Sequence, residues 1–476
     1  MDAFDTLQSA QPLRLVGSVV ETTGATIAVA DLPAPVGSLV RVDRSEGGPI
    51  GAEVIGFRDD KTLISPLSDV AGVRRGCRVT LTRTRRTLRV GEGLLGRVLN
   101  AHGDTIDGLP APVLQARTPL HRQAPSPVDR PRITQSLSTG VRAIDSMLAC
   151  GEGQRLGVFA GSGVGKSTLL GMMARRSAAD VIVIGLVGER GREVNEFVER
   201  DLGPEGLARS VVVVATSDEP ALVRLQAAST ATAVAEHFRD RGKSVLLLLD
   251  SITRTALASR EVGLAAGEPP TTRGYPPSTF ALLPRLVERT GRTKQGIITA
   301  FYSVLVEGDD PNEPIADTMR GLLDGHVWLS RKIASRGVFP AIDISESLSR
   351  LMPQLVSKQH LQAAQTVRRL IAAYEENEDL ITIGAYRRGT NPAVDAAIEL
   401  RDQIEAFLAQ DATSKTTPKT TQAGLLALAQ KAAAILNRPT GAAANAAAAA
   451  PSASAPGAAK PKPAPAPRAA QPQPNK

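Results

Sequence analysis

Cysteine is nearly missing from the 476-residue chain: Cys77 and Cys150 are the only two, they form no Cys-x-x-Cys spacing, and the five histidines do not cluster. Neither a disulfide framework nor a zinc site is therefore indicated, and the reducing cytosol is the expected compartment. Aromatic residues are scarce as well, at 3% with a single Trp, which leaves few ring faces on which nucleic-acid bases could stack. No apolar run approaches the ~20 residues of a membrane span, and Met1 to Pro12 lacks the basic and apolar regions of a leader. Acidic residues fall short of basic ones by eight, yet the imbalance is local. Eight Lys or Arg against Asp411 alone follow residue 410, so the preceding body carries about +1. A near-neutral body argues against an extended nucleic-acid groove, and no nucleic-acid partner is expected.

Against this background one loop stands out. Residues 160–168 read Ala-Gly-Ser-Gly-Val-Gly-Lys-Ser-Thr, between an apolar strand candidate from Arg155 and a helix candidate, Leu169 to Arg176. Gly161, Gly163 and Gly165 carry no Cβ, so consecutive backbone N–H groups can close around phosphate oxygens while the helix N-terminus adds partial positive charge. Lys166 then reaches the outer phosphates and Ser167 can hold magnesium, with Ser162, Val164 and Thr168 completing the nucleotide-binding set. Ala160 stands where the strict pattern asks for Gly. ATP and Mg2+ are the expected ligands.

The rest of the chain divides around this loop. Residues 1–90 contain short alternating segments, Leu13 to Glu21, Thr26 to Ala30, Leu39 to Val42, Gly51 to Phe57, Lys61 to Pro66 and Arg78 to Leu81, which predict a small β-barrel. The arginines from Arg74 to Arg89 alternate with Val79, Leu81 and Leu88, as on a solvated strand face. Residues 91–131 hold Pro110, Pro112, Pro119, Pro125, Pro127 and Pro131 and are expected to wrap as a linker rather than pack. Residues 132–340 alternate apolar strands with helices, the pattern of an α/β core whose parallel sheet is covered on both faces. Residues 341–410 read as a helical domain with helices over Ser357 to Tyr374 and Pro392 to Gln410. The tail, 411–476, offers one helix, Ala423 to Asn437, before Ala/Pro/Lys-rich sequence expected to stay unstructured from about Gly441.

Cutting a phosphoanhydride needs a carboxylate for magnesium, a second to orient water, and an arginine against developing charge. The run Val245 to Leu249 ends in Asp250, a carboxylate at the C-terminal edge of a buried strand. The run Val181 to Val187 leads through Gly188 to Glu189, Arg190, Gly191, Arg192 and Glu193, which places Glu189 at the same edge. On their own, Asp250 is also suited to cap a helix, and the Glu189–Arg190 pair reads equally as a surface salt bridge.

Several separate motifs carry a family resemblance: Gly153-Gln154-Arg155 before the phosphate loop, Gly188 to Glu193, Asp250-Ser251-Ile252-Thr253-Arg254, Gly267-Glu268-Pro269-Pro270 through Arg273-Gly274-Tyr275-Pro276-Pro277-Ser278, and Val306-Glu307-Gly308-Asp309-Asp310. From about Leu13 to Gln410 the chain resembles the type III protein-export ATPases, relatives of the catalytic subunits of rotary ATP synthases. The resemblance implies a RecA-like P-loop core between an N-terminal barrel and a C-terminal helical domain. It implies Lys166 and Ser167 as phosphate and magnesium ligands, Glu189 as the base that aligns water, Arg190 beside it, Asp250 as the magnesium-side carboxylate and Arg254 as an arginine on the following turn. Ser345 to Met352 resembles the segment whose arginine enters a neighbouring subunit's site, which makes Arg350 the arginine-finger candidate. Phe339 matches the aromatic that stacks on adenine, a role favoured over simple packing, and Tyr386 is a candidate to complete that pocket, with a packing role equally open to it.

The implied protein is a homo-hexamer that energises type III export, working with a stator-like regulator, central-stalk proteins, export chaperones, unfolded substrates and the export gate at the inner membrane. Gly384-Ala385-Tyr386 followed by Arg387-Arg388-Gly389 looks more like the flagellar branch, since injectisome versions often carry Glu at the position of Ala385. A virulence-type secretion ATPase, a rotary ATP synthase subunit and, against the charge balance, a ring-shaped RNA translocase are the competing readings. The segment before Leu13 is shorter than the helix by which many flagellar members bind their regulator, and the basic tail has no counterpart role.

Overall fold

The computed structural model describes residues 15–24, 26–306, 308, 310, 312–438 and 464. Six antiparallel strands, Val16–Thr23, Thr26–Ala30, Leu39–Val42, Ile50–Arg58, Lys61–Pro66 and Arg78–Arg83, close a barrel in the order first, second, fifth, fourth, third, sixth. Branched residues on the inward face, among them Val19, Ile27, Val29, Val40, Val42, Val54, Ile64 and Val79, fill its interior. Gly17 marks the tightest approach of two strands: a Cβ there would lie 2.4 Å from the Ala30 carbonyl oxygen. Exposed Arg78 and Arg89 stand beside buried Val79, Leu88 and Val90 as the sequence predicts, and Arg83, between exposed Thr82 and Thr84, also faces solvent. Arg86 does not; it turns inward, donating to Gln226 of the core at 2.6 Å and facing Glu53 of the barrel at 3.8 Å.

The expectation that residues 91–131 wrap without packing is not met. Thr87–Val90 pairs with Ala116–Pro119, and Arg97–Asn100 joins the main sheet as a parallel edge strand beside Ser210–Thr216. The prolines bar helices, but Leu94, Leu99 and Leu120 are apolar enough to sink fully into the core.

The central sheet runs Ile342–Ser349, Gly325–Leu329, Arg155–Ala160, Ile297–Leu305, Ser244–Asp250, Val181–Glu189, Ser210–Thr216, Arg97–Asn100. All neighbours are parallel except the first pair, where Ile342–Ser349 returns antiparallel on Gly325–Leu329. Successive side chains of a strand point to opposite faces. Ile182, Ile184 and Leu186 accordingly pack with Leu169 and Leu170 of helix Lys166–Arg176. Val181, Val183 and Val187 pack with Ala227 and Ala231 of helix Ala221–Arg239. Both faces are covered, and the C-terminal strand ends gather at one edge, where an open α/β sheet places its ligand.

Helices Lys358–Glu376, Glu378–Thr382 and Pro392–Leu408 follow, and helix Pro418–Leu436 packs against the two long ones through Leu425, Leu428, Ala432 and Ile435. This last helix begins before the predicted Ala423 because Thr417 and Thr420 form a reciprocal capping box with Pro418 in the first turn. The helical domain thus extends past residue 410. The expectations for the segment before Leu13 and for 441–476 fall on residues outside those described, Ala464 aside.

Candidate nucleotide site

Strand Arg155–Ala160 runs directly into the glycine loop, and helix Lys166–Arg176 starts from Gly165, whose φ of 90° is a left-handed conformation that glycine adopts without strain. The loop therefore turns its backbone toward the sheet edge with Ser162 and Ser167 exposed, while Val164 is buried as its anchor. Phe339 sits beside it: its ring carbon lies 3.3 Å from where a Gly165 Cβ would be, and 47% of the residue stays open to solvent. An aromatic face is thus presented next to the loop.

Two parallel strands bring the carboxylates to the same edge. Asp250, 3% exposed at the end of Ser244–Asp250, accepts from Lys166 Nζ at 2.5 Å and from Ser303 Oγ at 2.9 Å. Glu189, 9% exposed at the end of Val181–Glu189, faces the same ammonium at 3.8 Å. Arg254 lies on helix Ile252–Ala266, whose first turn is capped by Ser251 Oγ. It clamps Glu189 from the other side at 2.6 Å and also donates to the Gly188 carbonyl. Burial and the neighbouring Asp250 carboxylate push the Glu189 carboxyl above the ordinary glutamate range; Lys166 and Arg254 pull it partly back.

The structure thus brings Lys166, Glu189, Asp250 and Arg254 together. Arg190 is not part of the cluster: its guanidinium points outward and pairs with Glu193 at 3.1 Å. Tyr386 spends its hydroxyl within the helical domain, donating toward the Asn391 carbonyl and the Asp395 carboxylate at 3.0 and 3.1 Å. Arg350 lies at the far edge of the sheet. Its backbone N–H donates to Asp324, which precedes strand Gly325–Leu329 and holds Arg155 at the start of the phosphate-loop strand. The six residues of Arg155–Ala160 separate the two edges by roughly 20 Å at ~3.3 Å per residue. Ser303 was not foreseen; its only trace in the sequence is a hydroxyl within the apolar run Ile297–Leu305.

The oxygen donors Asp250 and Ser167 suit a hard divalent cation, and Asp250 already rests against a positive charge. Among the described residues no group of three or more His, Cys, Asp or Glu could hold a metal ion. An ion here would complete its shell with phosphate oxygens and water, as Mg2+ commonly does.

A closed small barrel, a doubly covered parallel sheet and a lysine-bearing glycine loop facing two strand-end carboxylates define a P-loop nucleotide-binding protein of the RecA type. Residues 19–83 match the ATP synthase alpha/beta family beta-barrel domain, 140–349 its nucleotide-binding domain, and 356–427 the T3SS EscN ATPase C-terminal domain. The chain belongs to the type III export ATPases of the ATP synthase alpha/beta family. It is 52% identical to the flagellum-specific ATP synthase of Bacillus subtilis, over 83% of this chain and 90% of that one. It is 50% identical, over the same shares, to the type 3 secretion system ATPase of Xanthomonas euvesicatoria. The assembled ATPase EscN from the type III secretion system of enteropathogenic E. coli superposes with a TM-score of 0.83 at 44% identity, covering 87% of this chain and all of that one. EscN in complex with its central stalk EscO gives 0.80 at 43%.

Proposed function

We propose that this chain hydrolyses ATP at sites shared between adjacent copies in a ring of six, and that the ring energises flagellar protein export from the cytoplasmic side of the inner membrane. The observation that carries the reading is the convergence of Lys166, Glu189, Asp250 and Arg254 on the glycine loop. The loop N–H groups and Lys166 hold the β- and γ-phosphates. Ser167 and Asp250 would hold Mg2+, which would supply positive charge against the phosphates. Glu189 orients and polarises the attacking water, and Arg254 keeps its carboxylate aimed. Phe339 stacks on the base. Because Arg350 stands at the opposite edge from its own loop, it serves the site of a neighbour, where such a residue contributes roughly 10³ to 10⁵ in rate.

The similarity to EscN with its central stalk supports a stalk partner, and the family supports a stator-like regulator, export chaperones, unfolded substrates and an export gate. Among the described residues no helix is long and apolar enough to cross a membrane, consistent with peripheral attachment. The 50% identity to a type 3 secretion ATPase favours a needle-type exporter as the second reading. Deleting the gene separates the two: the flagellar reading requires loss of filaments and motility.

The site itself is tested by two variants. Lys166→Ala should lose nucleotide affinity, and Glu189→Gln should bind ATP normally while turnover falls at least a hundredfold. Normal binding and hydrolysis in both would refute the assignment.

A further inference from the structure

Gln154 precedes the phosphate-loop strand by one residue, and Ser349 precedes Arg350 by one. The two side chains meet in a fully buried position. Gln154 is 0% exposed, and its amide is completely engaged. Oε1 accepts the Gly151 N–H at 2.8 Å, while Nε2 donates to Ser349 Oγ at 3.2 Å and to the Asp324 carbonyl at 3.3 Å. Ser349 Oγ in turn donates to the Ala149 carbonyl at 2.8 Å. Asp324 closes the circuit: its carbonyl also accepts from Arg350 N at 3.1 Å, its N–H donates to the Arg155 carbonyl at 2.8 Å, and its carboxylate takes Arg155 N at 3.0 Å. One planar group with an acceptor and two donors is needed to join three backbone segments in this way. Glutamate lacks the donors and leucine lacks both.

We infer that Gln154 is a positioning residue that sets Arg350, so that one chain's phosphate-loop strand and the arginine it lends to the next chain move as a unit. The inference rests on the shared site proposed above. A rigid, satisfied buried amide transmits displacement because its partners cannot shift independently without losing hydrogen bonds. Strand Arg155–Ala160 leads without interruption into the loop, so a shift of the loop on binding nucleotide is carried to Arg350.

The test is complementation in mixed rings. Gln154→Ala should assemble and bind ATP with affinity within about twofold, while kcat falls about 10²-fold, the scale of a small misplacement of a reacting group. Mixed with Glu189→Gln chains it should regain turnover, because an intact cradle then meets an intact, well-set arginine. Mixed with Arg350→Ala chains it should regain none, because both variants are defective in the arginine they lend. Rescue by Arg350→Ala chains, failure of rescue by Glu189→Gln chains, or an unimpaired Gln154→Ala enzyme overturns the inference. Should Gln154→Ala fail to assemble, Ser349→Ala, which loses one hydroxyl, is read in the same two mixtures. A control mixture of Glu189→Gln with Arg350→Ala tests the shared site alone: if it stays inactive the shared site is wrong, and if it recovers while the Gln154 pattern fails, only the positioning role is lost.

Discussion

Glu189 is held between Lys166 and Arg254 with Asp250 behind it, and its protonation is the variable that turnover should report. In the proposed role the working form of Glu189 is the carboxylate, and its pKa is raised, so kcat should fall on the acid side at a higher pH than a free glutamate would dictate. Removing the Arg254 cation favours the neutral form further. Arg254→Ala should therefore move the acid limb of a kcat–pH profile at saturating ATP to still higher pH; a limb that moves down or stays in place contradicts the arrangement. At this scale the sequence shows some residues better than others. The glycine loop is legible because its spacing is itself the mechanism, and Asp250 because it ends an apolar run. Arg190 misleads, since consecutive residues at a strand end point to opposite sides and spacing cannot say whether Glu189 or Arg190 faces the loop. Ser303 and Gln154 act through contacts 53 and 195 residues distant in sequence, which no local pattern encodes.

Among the elements, the joint between barrel and core is held by Glu53. Its carboxylate is buried, accepts from Gln226 at 2.6 Å, and is pushed up to about 7, chiefly by burial and against the pull of Arg86. A carboxyl with a raised folded pKa favours the folded state while protonated, and that contribution is lost as pH rises from about 4.5 through about 7. Glu53→Gln, neutral at every pH, should therefore gain stability over the parent at pH 8, by up to about 3 kcal/mol, and match it near pH 4.5. Denaturant midpoints at the two pH values check this, and an equal difference at both would contradict it. The fully buried Leu425 makes helix Pro418–Leu436 part of the helical domain, and Leu425→Ala should cost about 2 to 5 kcal/mol in the same measurement. Apolar strands and long amphipathic helices are visible in the sequence at this scale. Arg97–Asn100 is not, because a four-residue edge strand among prolines lacks the length that periodicity needs, and the first turn of the last helix is set by threonine capping before apolar spacing begins.

For the whole molecule, the organisation into barrel, sheet and helices follows from sequence patterning, but the distance between Arg350 and the phosphate loop does not. It depends on the return of Ile342–Ser349 along Gly325–Leu329, which carries Arg350 away from the loop to the other end of the sheet. Turnover per chain should accordingly rise with protein concentration as rings form, and Arg350→Ala should assemble yet hydrolyse slowly. A dilution series followed by light scattering and phosphate release measures both, and full activity in a dilute, unassembled sample would refute the shared site.

If Arg350 is lent to a neighbour as proposed, the wide spacing of those two groups would also act as a safeguard. A lone copy would take up fuel but lack the reach to burn it, so stray molecules would leave the energy supply untouched until they gathered into rings.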